Sequence, residues 1–208
     1  MSTKLLLVAI LAAGVSAACQ STPQAPIVRP GVPGQPSRNV TAAEAADLSR
    51  VGYTPADVEF MQGMIAHHGQ AVEMTELLKT RTENEDMRRM AQRIDLSQAD
   101  EIAMMREWLQ ARGQAVPDEH AHHTHMMPGM LTPEQMQRLA DARGPAFDRL
   151  FLEGMIAHHQ GALAMVADLL ARPGAGQASD VFEFVSDVEA DQRMEIQRMA
   201  AMLQEMSR

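Results

Sequence analysis

Two pairs of adjacent histidines, His67 with His68 and His158 with His159, each close the same hexapeptide, GMIAHH. On a helix of 3.6 residues per turn, with Met64 as zero, His68 falls at about 40°, Ala71 at about 340°, His67 at about 300° and Met74 at about 280°. The second copy puts Met155, His159, Ala162, His158 and Met165 at the same angles. Donors three and four residues apart on one face can converge, and the small alanine leaves room between them. Neutral imidazole nitrogen and thioether sulfur are soft or borderline ligands that favour Cu(I), and by extension Ag(I), over magnesium or calcium; Cu(II) and Zn are within the same chemistry. The candidate metal set is therefore Met64, His67, His68, Met74, Met155, His158, His159 and Met165. The alternative is a packed core, because methionine fills irregular helical interiors and a buried histidine can simply be hydrogen-bonded. Four imidazoles on an apolar face without strong partners would be costly, which favours ligation.

Gln98 and Gln192 lie on the apolar stripes of two other helices, where a polar group needs a reason. Each could orient an imidazole through its non-ligating nitrogen, with Glu101 or Glu195, one turn away, as alternatives. Between the two halves runs HAHHTHMMPGM, in which His120, His122, His123, His125, Met126, Met127 and Met130 make up seven of eleven residues. Packing does not account for that density of donors. A flexible secondary metal-loading loop does, and a solvated polar linker is the alternative.

The elements that position these residues are helices. Thr41 with Glu44 forms a capping box for a short one, and Thr54, Pro55 and Asp57 are an N-cap, a helix-first proline and an early acid for a long one over about 55–79. Ile94, Gln98, Ile102, Met105 and Leu109 give helical spacing over about 85–111, until Gly113 ends it. Thr132, Pro133 and Gln135 open a short helix, and two long ones follow over about 145–171 and 179–205. No strand is expected; Val181 to Val185 has strand-like composition but lies within the last helix.

FMQGMIAHHGQAVEM (60–74) over FLEGMIAHHQGALAM (151–165) matches at nine of fifteen positions without a gap. Ile94, Gln98, Glu101, Ile102, Met105 and Leu109 fall over Val188, Gln192, Glu195, Ile196, Met199 and Leu203. A duplicated amphipathic hairpin has an apolar stripe that it cannot bury alone, so two copies predict an all-α four-helix bundle with an approximate two-fold axis. Both His-His pairs could then reach one central site.

The chain opens with Lys4, an apolar run from Leu5 to Val15, and small residues before Cys19, the layout of a secretory signal peptide with a lipobox-like end. Residues 1–18 are read as signal peptide. Residues 19–50, with Pro23, Pro26, Pro30, Pro33 and Pro36, are read as a lipid-anchor Cys and an extended tether. Residues 51–113 form the first hairpin, 114–131 the His/Met-rich loop and 132–208 the second hairpin, with 51–208 one bundle domain. This describes a bacterial lipoprotein, exported to the periplasm and held to a membrane through Cys19; plain cleavage after Ala17 or Ala18, leaving a secreted protein with a free Cys, is the alternative.

Among the 208 residues, Lys and Arg number 18 against 27 Asp and Glu, a net charge of −9, and aromatics are 3%. Such a surface repels a phosphate backbone and lacks stacking platforms, so no nucleic-acid partner is expected. A single Cys excludes an internal disulfide and a Cys-based zinc site. There is no Glu-x-x-His for a di-iron centre, no His-Glu-x-x-His, no phosphate loop and no nucleophile elbow. No catalytic residues are assigned.

GMIAHH in both copies, Gln98 to Leu109 with Gln192 to Leu203, and LTPEQMQRLADARGPAFDRLFLEGMIAHHQGAL from Leu131 resemble the bacterial family catalogued as domain of unknown function 305. The resemblance spans about Val51 to Met206. It implies a ferritin-like helical bundle in an exported protein, with periplasmic copper binding and copper resistance in some members. The family motif falls here on Met64, His67, His68, Met155, His158 and His159. The reading that follows is a copper-binding protein that sequesters Cu(I) or delivers it to an exchange partner. A metal-dependent redox enzyme such as a Cu(I) oxidase, and a helical interaction module without metal, stand as alternatives.

Overall fold

The computed structural model describes residues 25–29, 36–46, 52–118 and 126–207. The chain divides into two compact units, Met1–Asp47 and Leu48–Arg208. In the first, strands β1 (Ile27–Arg29) and β2 (Arg38–Val40) pair antiparallel with Ile27 opposite Val40, followed by the short helix α1 (Ala42–Ala46). This ladder corrects the expectation of no strand and of a wholly extended tether. The β-branched Ile27, Val28 and Val40 favour a pleated pairing. The expected Thr41–Glu44 capping box starts α1.

The second unit holds α2 (Pro55–Arg81), α3 (Glu85–Ala111), α4 (Pro133–Asp141), α5 (Gly144–Leu170) and α6 (Ser179–Glu205), the four long helices having 27 residues each. Thr54 and Asp57 cap α2 reciprocally, Thr132 and Gln135 cap α4, and Asn84 accepts from the first turn of α3. Helix α2 packs along α3, α5 along α6, and the two hairpins meet through α2 and α5. The fold is an all-α, ferritin-like four-helix bundle. Among the described residues no helix is long and apolar enough to cross a membrane.

Two apolar clusters flank the middle of the bundle. One gathers Met61, Met64, Ile65, Met105, Leu109, Ala162 and Val166; the other gathers Ala71, Met74, Leu78, Ile94, Phe147, Phe151, Met155 and Met199. There, Met64 to Ala71 is a run of eight consecutive buried residues, so α2 is covered on every side. A surface helix shows only one apolar stripe. The extra cover is the segment 127–131, laid across α2 and α5. Asp57 ties the first turn of α2 to the α5–α6 connection, accepting from Gly176 N at 2.7 Å.

Candidate metal centre

All four histidines of the two pairs are buried, at 0–1% exposure, as are Met64, Met74 and Met155. Adjacent residues on a helix point about 100° apart, so each pair splays: ring centroids are 6.3 Å apart for His67 and His68 and 6.2 Å for His158 and His159. One member of each pair turns to the helix contact. There His67 and His158 lie against each other, centroids 3.8 Å apart at 35°. The other members turn outward, His68 to Glu101 on α3 and His159 to Glu195 on α6, the latter at 2.5 Å. The structure thus brings His67 and His158 together and does not gather all four rings at one point.

The hydrogen bonds of the four rings follow one rule. The Nε2–H of His67 donates to Pro128 O at 3.0 Å and that of His158 to His67 O at 2.9 Å, while His68 and His159 donate to the two buried carboxylates. Every Nδ1 is buried and has no partner among the described residues. A nitrogen that donates is protonated, so in the neutral ring Nδ1 carries the lone pair. Burial, then the neighbouring His68 ring, pushes His67 down to about 3 against the partial support of the Pro128 carbonyl. Burial, then His67, holds His158 well below its ordinary value. At neutral pH these two rings are uncharged and their free lone pairs are able to bind a soft cation.

The imidazole partners are Glu101 and Glu195 rather than Gln98 and Gln192. Both polar atoms of the buried Gln98 amide, and Oε1 of Gln192, have no partner among the described residues. Glutamate reaches the ring because it sits nearly one turn further along the same stripe, and a carboxylate accepts more strongly than an amide. A ligating histidine with its other N–H on a carboxylate is the arrangement that fixes the tautomer and raises donor strength. Among the described residues, no group of three or more His, Cys, Asp or Glu side chains stands ready to hold an ion.

His120, His122, His123 and His125 lie outside the described residues, as does Cys19. The rest of the loop departs from a flexible segment. Met130 and Leu131 are buried, and the Met130 sulfur accepts from Met127 N at 3.3 Å. Gln70 grips Leu131 twice, donating to its O at 2.9 Å and accepting from its N at 2.7 Å. Gly161 and Gly129 let the backbones touch: a methyl on Gly161 would stand 1.8 Å from Pro128 O, and one on Gly129 2.2 Å from Ala157 O. Gly129 also has φ +76°, a conformation that favours glycine. Spacing arguments missed this seat, although its signal is in the sequence: the first copy reads HHGQ and the second HHQG.

The family profile for Domain of unknown function (DUF305) matches residues 57–203, most of the chain. The chain belongs to the DUF305 family. A DUF305 crystal structure described as a secreted protein of Streptomyces coelicolor is 31% identical, with a TM-score of 0.64, over 73% of this chain and 94% of that one. A DUF305 fragment from Deinococcus radiodurans is 32% identical, with a TM-score of 0.62, over 74% and 98%. CopM in its Cu(I)-bound form is 28% identical, with a TM-score of 0.56, over 74% and 98%, and CopM is also solved with Cu(II) and with Ag. No curated protein matches at a significant level.

Proposed function

We propose that this protein binds Cu(I) within the bundle and sequesters or delivers it outside the cytoplasm. The observation that carries the reading is the set of four buried imidazoles, each with Nε2–H engaged and Nδ1 free, beside the buried thioethers of Met64 and Met155. The proposed principal ligands are His67 and His158, which lie together, and His68 and His159, about a ring's width further off, with Met64 and Met155 as soft donors and Met74 and Met165 at the margins. The CopM structures, with copper and silver bound on a similar fold, support a metal-binding role. Thioethers suit an oxidising compartment because they bind Cu(I) without forming disulfides. Export agrees with the signal-like residues 1–18 and with the secreted relative. In this reading Cys19 carries the lipid anchor, residues 19–50 connect it to a bundle domain over 51–208, and the His120–Met130 loop collects metal from solvent.

The test is an anaerobic Cu(I) titration of the metal-free protein against a competing chelator, alongside a variant with His67, His68, His158 and His159 all changed to Ala. Circular dichroism confirms that the variant is helical. Tight binding lost in a folded variant supports the reading, and binding unchanged in it moves copper away from the bundle. Oxygen uptake on addition of Cu(I) would instead identify an oxidase.

A further inference from the structure

The seat of the 127–131 segment makes the two ends of the His67–His158 stack unequal. Gly63 and Gly154 are equivalent residues of the two copies, each one turn before the stacked histidine of its helix. Their surroundings are reciprocal in one respect: a methyl on Gly63 would meet the Met165 methyl at 3.5 Å, and one on Gly154 the Met74 methyl at 3.4 Å. They differ in what the loop brings. The same added methyl on Gly63 would also meet the Met127 sulfur at 3.5 Å, whereas the one on Gly154 would meet the Leu131 methyls at 3.2 and 3.4 Å. One end therefore gathers two thioethers and the other a thioether and a hydrocarbon.

The remaining loop methionines are committed elsewhere, Met130 to the Met127 N–H and Met126 to solvent at 53% exposure. Gly63 and Gly154 are both partly buried, but Met127 and Met165 are partly buried too, which leaves their end reachable from water, while Met74 and Leu131 are buried. We propose that Met127 and Met165 form a thioether pair over Gly63 that takes up a soft monovalent cation, Cu(I) or Ag(I), from solvent and passes it to Nδ1 of His67, with Leu131 closing the Gly154 end. The site rests on the copper reading above and gives it a direction. Both sulfurs are neutral, so no proton is displaced when they bind, and transfer is an exchange of ligands on the cation. Thioethers select against hard divalent ions, so the pair also filters what reaches the imidazoles. The net charge of −9 favours approach of any cation, and the sulfurs supply the discrimination that charge lacks.

The test uses Ag(I), which has no redox chemistry here, titrated into protein carrying labelled methionine methyls and histidine nitrogens and followed by NMR. Met127→Leu and Met165→Leu, near-isosteric and without sulfur, assign the signals and serve as variants. The expected result is that the Met127 and Met165 methyls shift together in the first equivalent while Met74 does not, and that either variant loses this first step. Histidine signals that respond while Met127 and Met165 stay still would overturn the entry site and leave the bundle reading standing. A spectrum that no amount of Ag(I) changes would overturn both.

Discussion

A histidine whose Nε2–H is held by a buried carboxylate keeps its lone pair on Nδ1, and the carboxylate makes that lone pair a better donor. Glu101 and Glu195 do this for His68 and His159. Glu101→Gln or Glu195→Gln keeps an acceptor but removes the charge, and Cu(I) affinity should fall by about 10 to 100-fold, read by chelator competition. His67 supplies a second prediction. Its ring titrates near 6.5 in the unfolded chain and at about 3 in the fold, so the unfolded state takes up the proton first. Stability of the metal-free protein is then complete above pH 6.5 and falls as pH drops toward about 3, by up to about 1.4 kcal/mol per pH unit for this ring. His158, lowered for the same reason, adds a slope of the same sign. Urea unfolding at a series of pH values checks this, and a midpoint constant between pH 7 and 4.5 would contradict it.

At the scale of elements, glycine positions separate tight contacts from open ones. Gly161→Ala drives a methyl into the Pro128 carbonyl, so the loop must lift and His67 loses its acceptor; the cost should be about 1–3 kcal/mol in denaturant unfolding. Gly63→Ala meets its neighbours at ordinary contact distance and should gain about 0.5–1 kcal/mol of helix stability. Gln70→Ala strips two hydrogen bonds from buried Leu131 backbone and should cost about 1–3 kcal/mol, with faster proteolysis near the loop. The helices themselves were legible from caps and spacing: α2 and α4 begin at the caps Thr54 and Thr132 read from the sequence, and α3 and α6 end as read. The burial of the two histidine pairs was legible too, because GMIAHH falls on an apolar stripe in both copies. Their partners were only half legible. Angles on one helix cannot say whether Gln98 or Glu101 reaches a ring on another, and a backbone carbonyl such as that of Pro128 has no residue type to announce it.

At the scale of the whole molecule, the two hairpins cover each other through α2 and α5. Helix α2 alone with α3 leaves His67, Met64 and Met74 without the α5 surface and the loop that bury them. A fragment of residues 52–118 should accordingly show reduced helicity and no cooperative melt by circular dichroism, while the intact chain melts in one transition. The bundle is also where binding becomes visible as stability. Cu(I) or Ag(I) that binds only the folded state should raise the melting temperature in step with its free concentration.

A doubled hairpin would ordinarily offer two identical faces, and a single crossing loop would have no reason to prefer either direction. Here the order of one Gly and one Gln settles the matter: Gln70 grips Leu131 in the first copy, and Gly161 makes way for Pro128 in the second. Two neighbouring letters, transposed between otherwise matching sentences, give a near-symmetric molecule a left and a right.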